Sequence, residues 1–291
     1  MKKIFKYTVK YPFEFFLFLD FFILFKILPL NISRALGAAI TTNLGPLMPI
    51  NKLVEKNISI AFPDKDDEQL KKILKKIWYN FGCILSEYSH MGEILKNRIQ
   101  IIENQYSKEF FSGKNKNILV SAHSSNWETP GMACNLKSKK ISGIVREPNN
   151  PLIRYFLEIL RNKYSVECFS KNMKGTKQLI SQFQNGNSIA LLADQQLSSG
   201  IETKFFNKEV KITSLPAQLA LKAKCKIFLG WPVRKENNDF EFSIIESIDT
   251  SNLENNQFNI EEISKKINNF FEKKVSEYPD QYFWLHNRWK I

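Results

Sequence analysis

The chain reads as an α/β protein: a mixed, mainly parallel sheet covered by helices, entered through an N-terminal membrane-associated helix. Three observations carry this reading. From residue 117 onward, short apolar runs alternate with helical patterns, as strands joined by crossover helices do. Residues 33–110 show helical periodicity. Ahead of both, a lysine-rich start precedes an aromatic-rich apolar run. At 291 residues and 43% hydrophobic, the chain has material for one large core. No internal repeat or long Gly/Ser/Pro linker divides it, so the expected organisation is an anchor over 1–32 and a main domain over 33–291.

The first element is the run Tyr11–Pro29 behind Lys2, Lys3, Lys6 and Lys10. It resembles a signal peptide, but no small-residue cleavage site follows Leu24. A spanning helix needs about 20 apolar residues, and here Glu14, Asp20 and Lys26 interrupt, pointing in different directions at helical spacing. Phenylalanine density and flanking lysines favour an anchor lying in or dipping into the cytoplasmic leaflet. A tilted single span and a buried soluble helix are the alternatives. Next, Pro63-Asp64 starts a turn and Asp66/Asp67 cap a helix over 68–89, with Leu70, Ile73, Leu74, Ile77, Trp78, Phe81 and Leu85 on its apolar stripe.

Strands are expected at 117–122, 141–146, 165–169, 188–193, 226–234 and 239–247. Helices are expected near 129–137, 150–163, 174–185, 214–224 and 259–277. Gly186 stops one helix and Pro216 falls in the first turn of another. Thr129-Pro130 predicts an N-cap and first-turn proline just after Glu128.

A net charge of +13 calls for an anionic partner: nucleic acid, an anionic membrane surface or an acidic protein. Lysine dominates the cations, and with abundant asparagine that also follows from an AT-rich coding sequence. The lysines are dispersed and no nucleic-acid-reading signature is present, which argues against nucleic acid. Cys83, Cys134, Cys168 and Cys225 are far apart, with no CxxC, so neither a disulfide framework nor a zinc site is expected, and a reducing compartment is. His90, His123 and His286 share no metal-ligand spacing. No phosphate-cradling GxxxxGK[ST], GxGxxG or GxSxG is present. Neither metal nor cofactor is expected.

The chemistry concentrates in His123-Ser124-Ser125-Asn126-Trp127-Glu128, behind the strand Ile118–Ala122. A histidine at a strand tip, five positions before a carboxylate, suits a general base whose tautomer the carboxylate holds. Alternatively, Glu128 serves only the positive end of the following helix. The free N–H groups of that helix start are expected to bind a phosphate or an oxyanion. Ligands of open α/β sheets bind outside strand carboxyl ends, where Arg146 and Asp194 also fall. A serine nucleophile among Ser121, Ser124 and Ser125 is the weaker reading, because nothing in the sequence strains the turn to expose one.

At these residues the chain resembles the lipid A biosynthesis (late) acyltransferases of bacterial lipopolysaccharide synthesis. The ordered blocks are Asn57-Ile58 with Ala61-Phe62-Pro63; Ala122–Glu128; Arg146-Glu147-Pro148-Asn149-Asn150-Pro151-Leu152; Asp194-Gln195-Gln196 with Gly200 and Phe205-Phe206; and the tail Tyr278–Trp289. The chain departs in Ser124-Ser125, where Phe-Gly is usual, in Asn207, where Gly is usual, and in Gln196, where an acid is common. The resemblance implies a glycerolphosphate-acyltransferase-like fold at the cytoplasmic face of the bacterial inner membrane. It implies acyl transfer from an acyl carrier protein, or acyl-CoA, to a hydroxyl of an anionic phosphoglycolipid, a lipid A precursor, without an acyl-enzyme. His123 would be the base and Glu128 its orienter. Substrate contacts would come from Arg146, Asn149, Asn150, Asp194 and Gln195, with Asp194 either structuring the site or binding a sugar. Phe205 and Phe206 either line an acyl channel or pack the core. Arg288 either meets a headgroup or pairs within the fold. Another phospholipid, aminolipid or glycolipid acceptor would use the same motif, and a non-enzymatic basic membrane- or nucleic-acid-binding protein is the remote alternative.

Overall fold

A computed structural model describes residues 5–113, 115–197 and 199–290. Lys2 and Lys3 of the basic start lie outside the described residues. Seven strands form one sheet: β1 (Ile99–Ile102), β2 (Ile118–Ser121), β3 (Ile141–Val145), β4 (Glu167–Ser170), β5 (Ser188–Leu192), β8 (Lys226–Arg234) and β9 (Phe240–Asp249), in the order β1-β9-β8-β2-β5-β3-β4. The pairs are parallel except β8 with β9. The expected mixed, mainly parallel sheet covered by helices is therefore present. β2 is buried along its whole length, because helices cover both faces of the sheet; this is why its sequence is a continuous apolar run.

Two features depart from the sequence reading. β1 interrupts the stretch expected to be wholly helical. It is a four-residue strand held only by parallel pairing to β9, too short to show a period of its own. A hairpin of β6 (Ile201–Phe205) and β7 (Lys208–Ile212) forms a separate two-stranded sheet. Its loop, Phe206-Asn207, has φ of 50° and 58°, the left-handed pair of a tight hairpin turn. Asn207 tolerates that conformation nearly as well as the glycine usual at this point of the family block.

Before β2 the chain is mostly helical: α1 (Tyr11–Ile27), α2 (Leu30–Leu44), α3 (Asn51–Ala61), α4 (Asp67–Glu87), α5 (Met91–Asn97) and α6 (Gln105–Ser112). Asp66 caps α4 through a reciprocal capping box with Gln69. α7 (Thr129–Leu136), α8 (Pro151–Tyr164), α9 (Met173–Gln184), α10 (Leu215–Ala223) and α11 (Gln257–Glu277) are the helices expected from 129 onward. α7 starts one residue earlier than Thr129-Pro130 suggested: Glu128 holds the N-cap position, though its side chain makes no cap hydrogen bond. The main core joins the sheet to α9, α10, α11 and the tail aromatics Tyr282, Trp284 and Trp289.

α1 is not free-standing. Phe15, Phe18 and Phe22 pack on Phe156 of α8, and His90 Nε2 donates to the Phe25 carbonyl at 2.8 Å. Its other side leaves Phe13, Phe16, Leu17, Phe21, Leu24 and Ile27 exposed. Among the described residues, no helix is long and apolar enough to cross a membrane.

Candidate active site

The site grows from strand register. Ser121 of β2 lies level with Leu192 of β5 in a parallel pair. Continuing two residues past both strand ends brings His123 level with Asp194. Their side chains meet: His123 Nδ1 and Asp194 Oδ1 are 2.7 Å apart. Burial alone would raise the Asp194 pKa, but the His123 charge, its hydrogen bond and Arg288 outweigh it and bring it to about 2. Asp194 is therefore a carboxylate at neutral pH, and the Nδ1 of a neutral His123 must be the protonated nitrogen. The lone pair is left on Nε2.

This corrects the expected His123–Glu128 pair. Glu128 Oε1 instead accepts from Arg161 Nε at 2.9 Å and from Tyr88 Oη at 2.9 Å, while Trp127 Nε1 donates to Tyr88 Oη at 3.1 Å. The cause is the backbone. Ser125 stands at φ 52°, a left-handed residue that reverses the chain between His123 and Asn126. Glu128 then faces the last turn of α8 rather than the strand tip. The glycine usual at this position in the family that the chain resembles is the sequence's one sign of this conformation.

The turn is clamped on two sides. The tail pairs with it: Ser124 bridges to Tyr282, Ser125 N–H donates to the Gln281 carbonyl, and Phe283 N–H donates to the His123 carbonyl. Beneath it, Asn126 Nδ2 donates to Glu87 Oε2 at 2.9 Å. Glu87 is fully buried and also accepts from Arg34 and, through both terminal nitrogens, from Arg234. Burial works against this charge, yet the two guanidiniums hold the Glu87 carboxyl below its ordinary range. The turn's own amides are consumed as well. Ser124, Ser125, Glu128 and Thr129 N–H groups all have acceptors within the protein, so these four do not form the expected oxyanion cradle.

Above the turn opens a cavity of about 540 Å³, inside the ~300–1,000 Å³ range usual for ligand sites. His123, Glu128, Arg146, Arg161, Lys171, Gln195 and His286 supply its polar wall. Gly131, Gly143, Val166, Ala190, Leu215 and Leu285 also line it, so much of the lining is apolar. Cys168 lines the cavity too, its thiol pushed up to about 12, chiefly by burial, which makes it a poor nucleophile. Among the described residues no hydrogen bond joins a serine Oγ to His123, and no cluster could hold a metal ion.

The remaining expected site residues divide. Arg146 and Gln195 line the cavity. Asn149 is exposed and away from its wall. Asn150 is buried and structural: its Oδ1 caps α8 through Leu152 N–H, and its Nδ2 donates to the Tyr11 carbonyl and to Glu14. Phe205 packs against Tyr282 and Trp289, and Phe206 against Phe62 and Trp284, so both belong to the core and neither lines the cavity. Arg288 is buried over the Phe205 ring and donates to Asn268, so it acts on Asp194 by its charge and not on a headgroup. Tyr88, Arg161, Lys171 and His286 were not expected. Arg161 carries no sequence signal beyond a position near a helix end, whereas His286 sits inside the tail block.

The family described as bacterial lipid A biosynthesis acyltransferase matches residues 2–291. No curated protein matches the chain. Among solved structures, the crystal structure of the 1-acyl-sn-glycerophosphate (LPA) acyltransferase PlsC from Thermotoga maritima is similar at 12% identity and a TM-score of 0.40, covering 88% of this chain and 100% of that one.

Proposed function

The chain belongs to the bacterial lipid A biosynthesis acyltransferase family and is an acyltransferase; from that premise we propose that it moves a fatty acyl chain from an acyl carrier thioester to a hydroxyl of a lipid A precursor. The observation that carries the reading is the Asp194-held imidazole, with the free nitrogen of His123 at the wall of a largely apolar cavity. Nε2 takes the acceptor's hydroxyl proton, and Asp194 stabilises the imidazolium that forms. The alkoxide attacks the thioester carbonyl. Collapse of the tetrahedral intermediate forms the C–O ester bond and breaks the C–S bond. The carrier thiolate leaves and takes the proton back from His123. No acyl-enzyme is needed.

Arg146 and Lys171 at the cavity wall supply positive charge for an anionic acceptor or for the phosphate of the donor's arm. The apolar face of α1 lies in the cytoplasmic leaflet of the inner membrane, and Asn150 ties that helix to the loop carrying Arg146. The test is transfer from an acyl carrier thioester to a lipid A precursor in vitro, where His123→Ala loses roughly 10²–10⁴-fold in turnover while still folding. Wild-type turnover by that variant refutes the mechanism. Cells lacking the protein should show lipid A short of one acyl chain by mass spectrometry; unchanged lipid A with another lipid altered refutes the acceptor.

A further inference from the structure

The cavity wall carries a second imidazole whose proton is placed by the backbone. Gln196 N–H donates to His286 Nε2 at 3.0 Å. A backbone amide cannot accept, so Nε2 is the acceptor and a neutral His286 carries its proton on Nδ1. The ring is kept neutral: burial, then the nearby charges of Arg288, His123 and Lys171, push its pKa down against the opposing pull of Asp194. The main chain is pinned too, because the His286 carbonyl accepts from Asn57 Nδ2 at 2.9 Å and from Arg288 N–H at 2.8 Å. His123 and His286 thus share one tautomer and offer opposite ends of it. His123, tied at Nδ1, offers a bare nitrogen; His286, tied at Nε2, offers an N–H.

Acyl transfer needs a donor for the negative charge that develops on the carbonyl oxygen. In the turn after His123, the N–H groups of Ser124, Ser125, Glu128 and Thr129 are already bonded and do not supply it. Arg146 and Lys171 are exposed side chains at the cavity wall, and among the described residues no side-chain partner aims them. We propose that His286 Nδ1–H is the preorganised donor that binds the oxyanion of the acyl thioester during transfer. This rests on the acyl-transfer reading above and adds a residue to it.

The test separates the donor from the tether. His286→Asn places an amide N–H near the Nδ1 position but cannot reach the Gln196 amide. His286→Gln can accept from Gln196 but offers nothing at Nδ1. His286→Ala offers neither. The proposal expects kcat to fall by roughly 10²–10³-fold in Ala and Gln, to recover at least tenfold in Asn, and KM to stay within about threefold throughout. Activity in Gln with loss in Asn assigns His286 to structure alone and overturns the proposal, as does equal loss in Asn and Gln or unchanged kcat in all three. Side-chain nitrogen NMR of the wild-type protein should show His286 neutral and protonated on Nδ1 at neutral pH. A proton on Nε2 overturns the proposal whatever the enzyme transfers, whereas a wild-type protein that transfers no acyl chain fails the underlying reading instead.

Discussion

Two buried carboxylates serve one site, Glu128 in the cavity wall and Asp194 behind the His123 ring, and do different work. Asp194 follows β5 and reaches the imidazole of His123, while Glu128 starts α7 and reaches the guanidinium of Arg161 and the phenol of Tyr88. By sequence distance Glu128 is the nearer of the two to His123, five residues against 71. Strand register reverses that order, because parallel neighbours bring their ends level however long the crossover between them. The lesson is that a short motif names the residues of a site without naming their pairs. A carboxylate on an imidazole sets a tautomer. A carboxylate on a guanidinium holds a helix in place; Arg161 in return is pushed above its ordinary pKa by Glu128, against the effect of burial.

The strongest way to break this comparison is to neutralise each carboxylate without changing its shape. Asp194→Asn should let the His123 proton move to Nε2 and lower kcat by about 10²–10⁴-fold, in a protein that remains folded. Glu128→Gln should leave the His123 proton on Nδ1. It removes the charge facing a largely buried Arg161, so its main effect is on stability, a loss of about 3 kcal/mol at most. Nitrogen NMR of His123 in both variants, beside thermal melts, decides between them. A tautomer change in Glu128→Gln with none in Asp194→Asn would restore the motif-based pair.

Acid titration sharpens the same contrast at smaller scale. Asp194 is depressed from 3.8 to about 2. A group depressed in the folded state contributes stability that is present above its unfolded pKa and is lost as pH falls through the folded one. At about 1.4 kcal/mol per unit, the fall from 3.8 to about 2 makes the Asp194 contribution about 2–3 kcal/mol, present above about pH 4 and lost between about pH 4 and pH 2. Glu87, also held low, works in the same direction. The measurement is therefore the difference in urea stability between wild type and Asp194→Asn across that window. Equal slopes in the two proteins would show that the His123–Asp194 contact is not an ion pair in the folded state.

Much of this was legible in the chain. Apolar runs such as Ile118–Ala122 and Ile189–Ala193 are strands because burial on both faces leaves no room for polar alternation. Those runs, with the polar residues just past them, mark the edge of the sheet where the cavity opens. What remained hidden depends on distances no local pattern records. Arg161 reaches Glu128 from 33 residues away. Glu87 is a charge inside an amphipathic helix, and only the arrival of Arg34 and Arg234 from α2 and β8 makes it a buried cluster and not a surface residue. The β6–β7 hairpin has an alternation of Ile201, Thr203 and Phe205 against Val210 and Ile212, but each strand is only five residues long, too short a period to stand out in the sequence. Of the two readings open for Phe205 and Phe206, acyl channel or core, the fold uses them as core.

The smallest effect tests what sends the two ends of the turn to different partners. Ser125 adopts φ 52° and is fully buried, with no partner for its Oγ among the described residues. A left-handed serine costs about 1–2 kcal/mol relative to glycine, and an unbonded buried hydroxyl adds about 1 kcal/mol. Against this, glycine gives the unfolded chain more freedom, at a cost of about 0.4–1 kcal/mol. Ser125→Gly should therefore stabilise the protein by about 1 kcal/mol, which for a chain of this length raises the melting temperature by about 2 °C. Because the backbone path stays the same, the His123–Asp194 and Glu128–Arg161 contacts should survive, with turnover within about twofold of wild type. This position is where the family resemblance expects glycine, and the left-handed φ supplies the physical reason. A destabilised Ser125→Gly variant would mean that the serine hydroxyl has a partner in solution, and that the turn is held by that partner and not by the clamp of Gln281, Phe283 and Glu87.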